Sequence, residues 1–528
     1  MSQGLPRWSW IPVGLALVLG LWLAADGRLS GDEPGYLYAA AYETVPQILA
    51  GEVQATGTPG FEQGRFLHEL FLKGVMAMTG AGPEGFRAIQ VIHLAITALN
   101  VLLIGAIARR LLPQVAETRA ATVLVAMTPI VLYFALKTTP DNEALLAALV
   151  ATAGLVAVAS RRGAAGPVAV VTGLVAAALV KNQMIFVPVA FWVAACLVPI
   201  GGIDRRRLAW HGAAWGTLAA IATGALLEAS GIGLSGYLES YAAPFANRTP
   251  LVAKLMNVAT ELGLLWLLLP FAWLSHRRRE LGFFALWFLV AMAPFLFMSG
   301  VEPRQVAVNL AAAGGLAALA LEAVLRRWPA WERLGEPGRA GVATVGVLVL
   351  MACHGLALAI MPHKVDLRTL NQALVALDSR YGKDGYTLVL SNGYLDFQIL
   401  RVLWPERDVL NAGTSRYAFD TARAPRESLL EAYLGHRYVE DIEGLERIER
   451  PAVFFGFRRT FAAANLEKML SAISPALAPR VLGGVGLDEH LYAEFSAWLW
   501  DSPEVRLDPV LKAGNYEALE IHLLRPGE

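Results

Sequence analysis

Immediately after its first apolar stretch the chain reads Gly31-Asp32-Glu33-Pro34-Gly35-Tyr36. Two adjacent carboxylates ahead of a helical pattern have a purely local explanation, because acidic residues and proline both favour the first helical turn. The same placement suits a general base. A helix N-terminus helps keep a carboxylate ionised, and Asp32 is the better placed of the two to remove a proton. Other charges recur where apolar stretches end. Lys137 and Asp141 lie in Lys-Thr-Thr-Pro-Asp-Asn-Glu, Lys181 in Val-Lys-Asn-Gln, and Glu302 and Arg304 in Ser-Gly-Val-Glu-Pro-Arg-Gln. Any of these long side chains can snorkel to headgroups. Lys181 fits that reading least well, since it sits between two apolar segments joined by almost no loop, where an unpartnered ammonium is costly. A carboxylate with cations beside it, at one edge of the membrane, suggests a site for a lipid phosphate plus a base.

These residues must be positioned by a membrane protein. Of the 528 residues 56% are hydrophobic and 17% charged, whereas a soluble domain is about a quarter charged. Residues 1–361 hold 45 of the charges and residues 362–528 the other 43, which is 12% against 26%. The first part reads as membrane-embedded and the second as an ordinary globular domain. Zero net charge gives no sign of a nucleic-acid partner. Two cysteines, Cys196 and Cys353, exclude a disulfide scaffold and a cysteine-ligated zinc site. With 36 Arg against 8 Lys, the composition points to a bacterium with a GC-rich genome.

At about 20 apolar residues per span, eleven spans are expected, at 8–25, 87–108, 119–136, 142–160, 164–180, 184–200, 208–229, 258–275, 281–298, 306–325 and 341–361. Arg109–Arg110, Arg161–Arg162, Arg205–Arg207, Arg277–Arg279 and Arg326–Arg327 each follow an even-numbered span. Basic residues mark the cytoplasmic side, so the N-terminus is expected in the cytoplasm and residues 362–528 outside. A cleavable signal peptide ending at Ala24–Ala25 is the rival reading of the first span. The first outer loop, 26–86, is long enough to carry helices at 34–50 and 62–79, which would lie in the membrane interface. Gly57, Pro59 and Gly60 separate them. A second sizeable outer loop spans 230–257.

Beyond Met361 the pattern becomes that of a small α/β domain. A helix is expected over Leu367–Tyr381, with strands over Tyr386–Ser391, Pro451–Phe457 and Glu517–Leu524 and helical stretches near 424–436 and 461–473. Gly483-Gly484-Val485-Gly486 lacks the strand–turn–helix setting of a nucleotide site.

The Asp-Glu pair after the first span, the Thr-Pro-Asp-Asn-Glu-Ala-Leu-Leu entry to the fourth and a fifth span ending in Lys181 together resemble the GT-C superfamily of membrane glycosyltransferases. Within it the chain is similar to protein O-mannosyltransferases and lipid A aminoarabinose transferases. The resemblance covers roughly residues 8–325, and Pro303-Arg304 before a small-residue span also fits it. It implies an α-helical polytopic GT-C domain (1–361) with an extracytoplasmic α/β domain (362–528). It also implies a bacterial inner-membrane enzyme that moves a sugar from a polyprenyl-phosphate-linked donor to an acceptor hydroxyl on a glycolipid, polysaccharide or protein, with inversion. Relatives often carry a Lys-Pro-Pro or similar turn in the first loop, where this chain has Gly-Thr-Pro-Gly-Phe-Glu-Gln-Gly-Arg65.

The expected roles are therefore Asp32 as base and Glu33 in support. Lys181, Arg304, Arg65 and Lys137 are candidates for the donor phosphate, and Tyr36, His68, Asp141 and Glu302 for acceptor or sugar contacts. No cofactor is required, although an acidic pair could host a divalent ion. The alternative is a transporter or flippase for a lipid-linked sugar. Transporters place polar groups near the midplane on broken helices, whereas these charges cluster at one lip. A scaffolding protein whose outer domain binds envelope polymer is a third reading.

Overall fold

A computed structural model of the chain describes residues 28–29, 33–50, 66–160, 165–235, 237, 251–297, 303–335, scattered positions between 338 and 353, 365–390, 399–412, 438–439, 442–457, 502–513 and 516–524. In chain order the elements are strand β1 (Arg28–Leu29) and helices α1 (Glu33–Tyr42), α2 (Val45–Ala50), α3 (Phe66–Thr79), α4 (Pro83–Leu111), α5 (Thr118–Ala126), α6 (Pro129–Leu136), α7 (Pro140–Ala159) and α8 (Ala165–Lys181). After a 3-10 turn at Asn182–Ile185 come α9 (Phe186–Leu197), α10 (Arg205–Ala229), α11 (Leu251–Leu262), α12 (Leu264–Leu268), α13 (Arg278–Phe297), a 3-10 segment Pro303–Asn309, α14 (Leu310–Arg326) and α15 (Pro329–Arg333). The last part holds β2 (Val365–Asp366), α16 (Leu367–Tyr381), β3 (Thr387–Leu390), β4 (Val409–Ala412), β5 (Tyr438–Val439), α17 (Ile442–Glu446), β6 (Ala452–Phe457), β7 (Val505–Ala513) and β8 (Tyr516–Leu523). The expected first span 8–25, the loop break at 57–60, the stretches near 424–436 and 461–473, and the run 483–486 lie outside the described residues, as do half of 230–257 and much of 341–361.

Contacts divide the chain into two compact units. The first holds described residues 66–68 and 90–353. The second holds the described residues within 28–50, 69–89 and 365–524, so the described part of the expected loop 26–86, apart from 66–68, groups with the C-terminal residues.

The first unit is a helical bundle. Among the described residues four helices are long and apolar enough to cross a membrane, or up to six if each bent pair counts as one span. Thr-Pro dipeptides set two of its breaks. A residue before proline is pushed to extended backbone, and Thr128 (φ −66°, ψ 148°) and Thr139 (φ −103°, ψ 150°) both adopt it ahead of Pro129 and Pro140. The expected continuous span 119–136 is therefore two helices bent by 61°. The expected span 258–275 is likewise broken, by 98°, at Gly263. Its φ of 56° with ψ of −136° is open essentially only to glycine.

Residues 165–197 are helical almost throughout, but they form a hairpin. Lys181 is extended (φ −158°, ψ 102°), and the chain that left Ala159 comes back to it. Asp204 N–H donates to Ala159 O at 3.2 Å and Arg207 Nε to Val158 O at 2.8 Å. Close approach of α7 and α8 explains the glycines between them. A Cβ on Gly154 would meet Gly166 O at 2.8 Å, and one on Gly173 would meet Ala147 O at 2.6 Å. Small residues at such contacts let helix backbones pack without a hydrophobic driving force. Across the bundle, buried Phe191, Phe283, Phe284 and Trp287 join α9 to α13 with ring centroids 5.0–6.0 Å apart. Trp287 Nε1 donates to Val187 O at 3.0 Å.

The basic clusters gather at the ends of these helices. Arg277 donates to both oxygens of Glu322 and to Gln114, and Arg326 donates to Glu322 at 2.8 Å. Arg205 donates to Cys196 O.

In the second unit a six-stranded sheet has the order β5-β4-β3-β6-β8-β7, parallel from β5 to β6 and antiparallel beyond. Helix α16 spans the expected residues. It joins the sheet through Arg407, whose guanidinium donates to both Asp378 oxygens at 2.6–2.7 Å. Burial works to raise the Asp378 pKa, but the bonds from Arg407 and Tyr386 together hold it below the usual value. Tyr381 donates to Glu520 at 2.6 Å. Burial and that carboxylate push its phenol up to about 12.

Candidate active site

The two units each hold part of the expected constellation. In the first, Lys181 Nζ lies 2.7 Å from Asp141 Oδ1, with side chains only 4% and 0% exposed. The break between α8 and the 3-10 turn places the lysine, and the Thr139-Pro140 start of α7 places the aspartate in its first turn. Neither charge snorkels. Two residues along α7, Glu143 is held by two imidazoles, with Oε2 2.8 Å from His68 Nδ1 and Oε1 3.1 Å from His93 Nε2. His68 and His93 are both fully buried and their rings meet edge to face, 6.2 Å apart. A carboxylate between two imidazoles fixes the tautomer and orientation of each ring.

Asn142 lies between these two charged groups and ties α7 to α4. Its Nδ2 donates to His93 O at 2.9 Å and to Thr97 Oγ1 at 3.0 Å. Asn100 Nδ2 returns bonds of 2.9 and 2.8 Å to Asn142 O and Oδ1. His93, Thr97 and Asn100 fall at i, i+4 and i+7, one face of a helix. Buried polar groups are costly to orphan, at about 1–3 kcal/mol each. Asn142→Leu is therefore expected to cost about that much, read as a lower midpoint of thermal unfolding in detergent. Adding Asn100→Leu should recover part of the loss, because the two share one network.

This cluster stands at one end of the bundle. Helix α7 has 20 residues, about 30 Å at 1.5 Å per residue, and its far end carries the contacts to Asp204 and Arg207. Helix α4 runs from His93 toward Gln114, which bonds Arg277. Asp141, Lys181, Glu143 and the histidines thus lie at the end opposite the arginines. Lys137, in the extended link before α7, is also buried.

In the second unit Glu33 is the first residue of α1 and fully buried, with Tyr36 one turn on and 2% exposed. Asp32, Arg65 and Glu302 lie outside the described residues. Arg304 falls within the 3-10 segment Pro303–Asn309, and its side chain is not among those described. The structure thus joins Asp141, Lys181 and His68 into one polar region of the first unit. His93 and Glu143 were missed in the sequence. Their signals were a polar stripe on an apolar span and a second acid two residues after Asp141. Among the described residues no group of three or more His, Cys, Asp or Glu has the geometry to hold a metal ion.

The bundle with its polar end shares its fold with two solved structures of one bacterial enzyme, and its long apolar helices are those of a multi-pass membrane protein. The chain is similar to ArnT, the lipid A aminoarabinose transferase, from Cupriavidus metallidurans. In the apo state the TM-score is 0.58 at 15% identity, covering 97% of both chains. The same enzyme bound to undecaprenyl phosphate gives 0.59 at 15% identity, covering 97% of this chain and 98% of that one. An oligosaccharyltransferase from Archaeoglobus fulgidus, tethered to an acceptor peptide, matches at a TM-score of 0.49 and 13% identity, over 89% of this chain and 72% of its own. No protein-family model and no curated protein matches the sequence.

Proposed function

We propose that the protein transfers a sugar from a polyprenyl-phosphate donor to an acceptor hydroxyl at the outer face of a bacterial inner membrane. The observation that carries this reading is the polar end of the bundle, where a buried Asp141–Lys181 pair and the His68–Glu143–His93 cluster sit opposite the arginine clusters, within a glycosyltransferase fold. Intramembrane ionisable residues in such a position mark a functional site.

In the proposed step Asp32 takes the acceptor O–H proton and the acceptor oxygen attacks the anomeric carbon. The bond from that carbon to the phosphate oxygen breaks, and polyprenyl phosphate leaves with the bonding pair. Displacement from the opposite side inverts the anomeric carbon. Phosphate is a weak base, so no general acid is needed. Cationic groups need only neutralise it. Arg304, Arg65 and Lys137 are the proposed phosphate contacts. Lys181 joins them, pre-oriented by Asp141. Glu33 supports the base, and Tyr36, His68 and Glu302 are proposed to contact acceptor or sugar.

Mass spectrometry of lipid-extracted envelope glycans in a deletion strain should reveal one missing sugar. Purified protein in vesicles should release polyprenyl phosphate from a matching donor. Unchanged glycans together with no release would end the reading.

The proposal includes an eleven-span topology with a cytoplasmic N-terminus and residues 362–528 outside. Reporters fused after residue 362 should be active only outside the cytoplasm, and fusions after Arg162 or Arg279 should behave as cytoplasmic. A cytoplasmic signal from the 362 fusion would place the proposed site on the wrong face.

A further inference from the structure

Helix α1, which Asp32 and Glu33 head in the sequence, is fastened at its other end. Lys73 of α3 is half-buried. Its Nζ donates to Ala40 O at 3.1 Å and to Glu43 O at 2.7 Å, carbonyls that a helix C-terminus leaves without intrahelical partners. A cation there also complements the helix dipole. The next residues form a reciprocal cap, with Thr44 N–H donating to Gln47 Oε1 at 2.8 Å and Gln47 N–H to Thr44 Oγ1 at 3.5 Å.

The same end of α1 is held by residues far along the chain. Tyr42 OH donates to Arg401 O. The Arg401 guanidinium lies 5.6 Å from the centroid of the Tyr42 ring, and Tyr38 packs on that ring at 4.8 Å. Nearby, the turn between α3 and α4 brings Gly82 (φ +112°) beside Leu403 O, 3.9 Å from where a Cβ would stand. Ahead of α1, Arg28 and Leu29 pair antiparallel with Asp366 and Val365. The strand ahead of α1 and the C-terminal end of α1 are therefore held by Val365, Asp366 and Arg401.

We propose that Lys73, Tyr42 and Arg401 are positioning residues for the acidic pair, and that the C-terminal α/β part is a template that sets helix α1, which the proposed base precedes in the sequence. Ten residues of helix are about 15 Å of rigid rod. A shift allowed at the Tyr42 end is carried to the Glu33 end, and displacement of a catalytic group by about 1 Å can cost about 10²-fold in rate. The inference rests on the reading of Asp32 as the base.

The test uses the full-length protein in vesicles. Lys73→Met, Lys73→Arg and the double variant Tyr42→Phe/Arg401→Ala are assayed for kcat, donor KM and thermal midpoint. Lys73→Met and the double variant are expected to lose about 10–100-fold in kcat, with donor KM within about twofold of the parent. Lys73→Arg, which keeps a cation and N–H donors, should recover most of the rate. The proposal is overturned if Lys73→Met and the double variant keep parent kcat. It is equally overturned if the activity lost by Lys73→Met and by the double variant matches only the fraction of protein unfolded, or if Lys73→Arg loses as much kcat as Lys73→Met. An Asp32→Asn control separates the two ideas. Retained transfer there removes the base assignment itself, whereas loss there with full activity in the other variants removes only the positioning role.

Discussion

Asp32→Asn is expected to fold, insert and bind donor like the parent yet transfer sugar about 10²–10⁴-fold more slowly, the usual span for loss of a general base. Asparagine is nearly isosteric with aspartate but cannot accept the acceptor proton. Glu33→Gln should cost less. Glu33 is buried in the first turn of α1, where its charge meets the positive end of the helix dipole. The measurement is initial rate at saturating donor, together with donor binding to the same preparations. Near-parent transfer by Asp32→Asn would remove it from the mechanism. Asp141 would make a poor substitute, because its carboxylate is already buried against an ammonium.

The second large effect concerns that pair. From the sequence, Lys181→Met reads as a loss of donor binding with folding intact. The structure changes this expectation. Removing one partner of a buried ion pair leaves the other charge without compensation, at a cost of about 3–5 kcal/mol. Lys181→Met should therefore express poorly or unfold early. Asp141→Asn/Lys181→Met removes both charges and should regain much of that stability, which makes it the variant in which donor affinity can be measured. Weakened binding of polyprenyl-phosphate sugar by the folded double variant supports a phosphate contact. Parent-like binding would reduce Lys181 to a structural role.

The comparison of these residues shows what the sequence could display. Helix α16 was legible to the residue because its apolar positions recur at helical spacing and nothing interrupts them. The bend between α5 and α6 was visible as Thr128-Pro129 but was overridden by continuous apolarity over 119–136. Apolarity speaks to burial, whereas proline speaks to backbone. Strand β7 escaped notice because Asp508 and Pro509 spoil its alternation. The structure shows why they are tolerated. The strand lies at the sheet edge, with its register shifted between Pro509 and Leu511, where proline and bulges are accommodated.

Asp141 and Lys181 were each singled out, but not their union. Forty residues separate them in sequence, and the antiparallel packing of α8 on α7 returns one to the other. His93 was hidden in the opposite way. A single histidine on an apolar helix is ordinary, and its meaning depends on the acid that a third helix brings to it.

The pairing of Arg28 with Asp366 spans 338 residues of chain, and this sets a clock on biogenesis. At about 5–20 residues per second, roughly 20–70 s separate synthesis of the two strands. During that interval the membrane helices emerge while the acidic segment lacks its partners. An unfinished or truncated chain would thus carry α1 without the strand pairing and the Arg401 contact that fasten it. Helix α1 would gain its final anchorage only once the chain beyond Arg401 has been made.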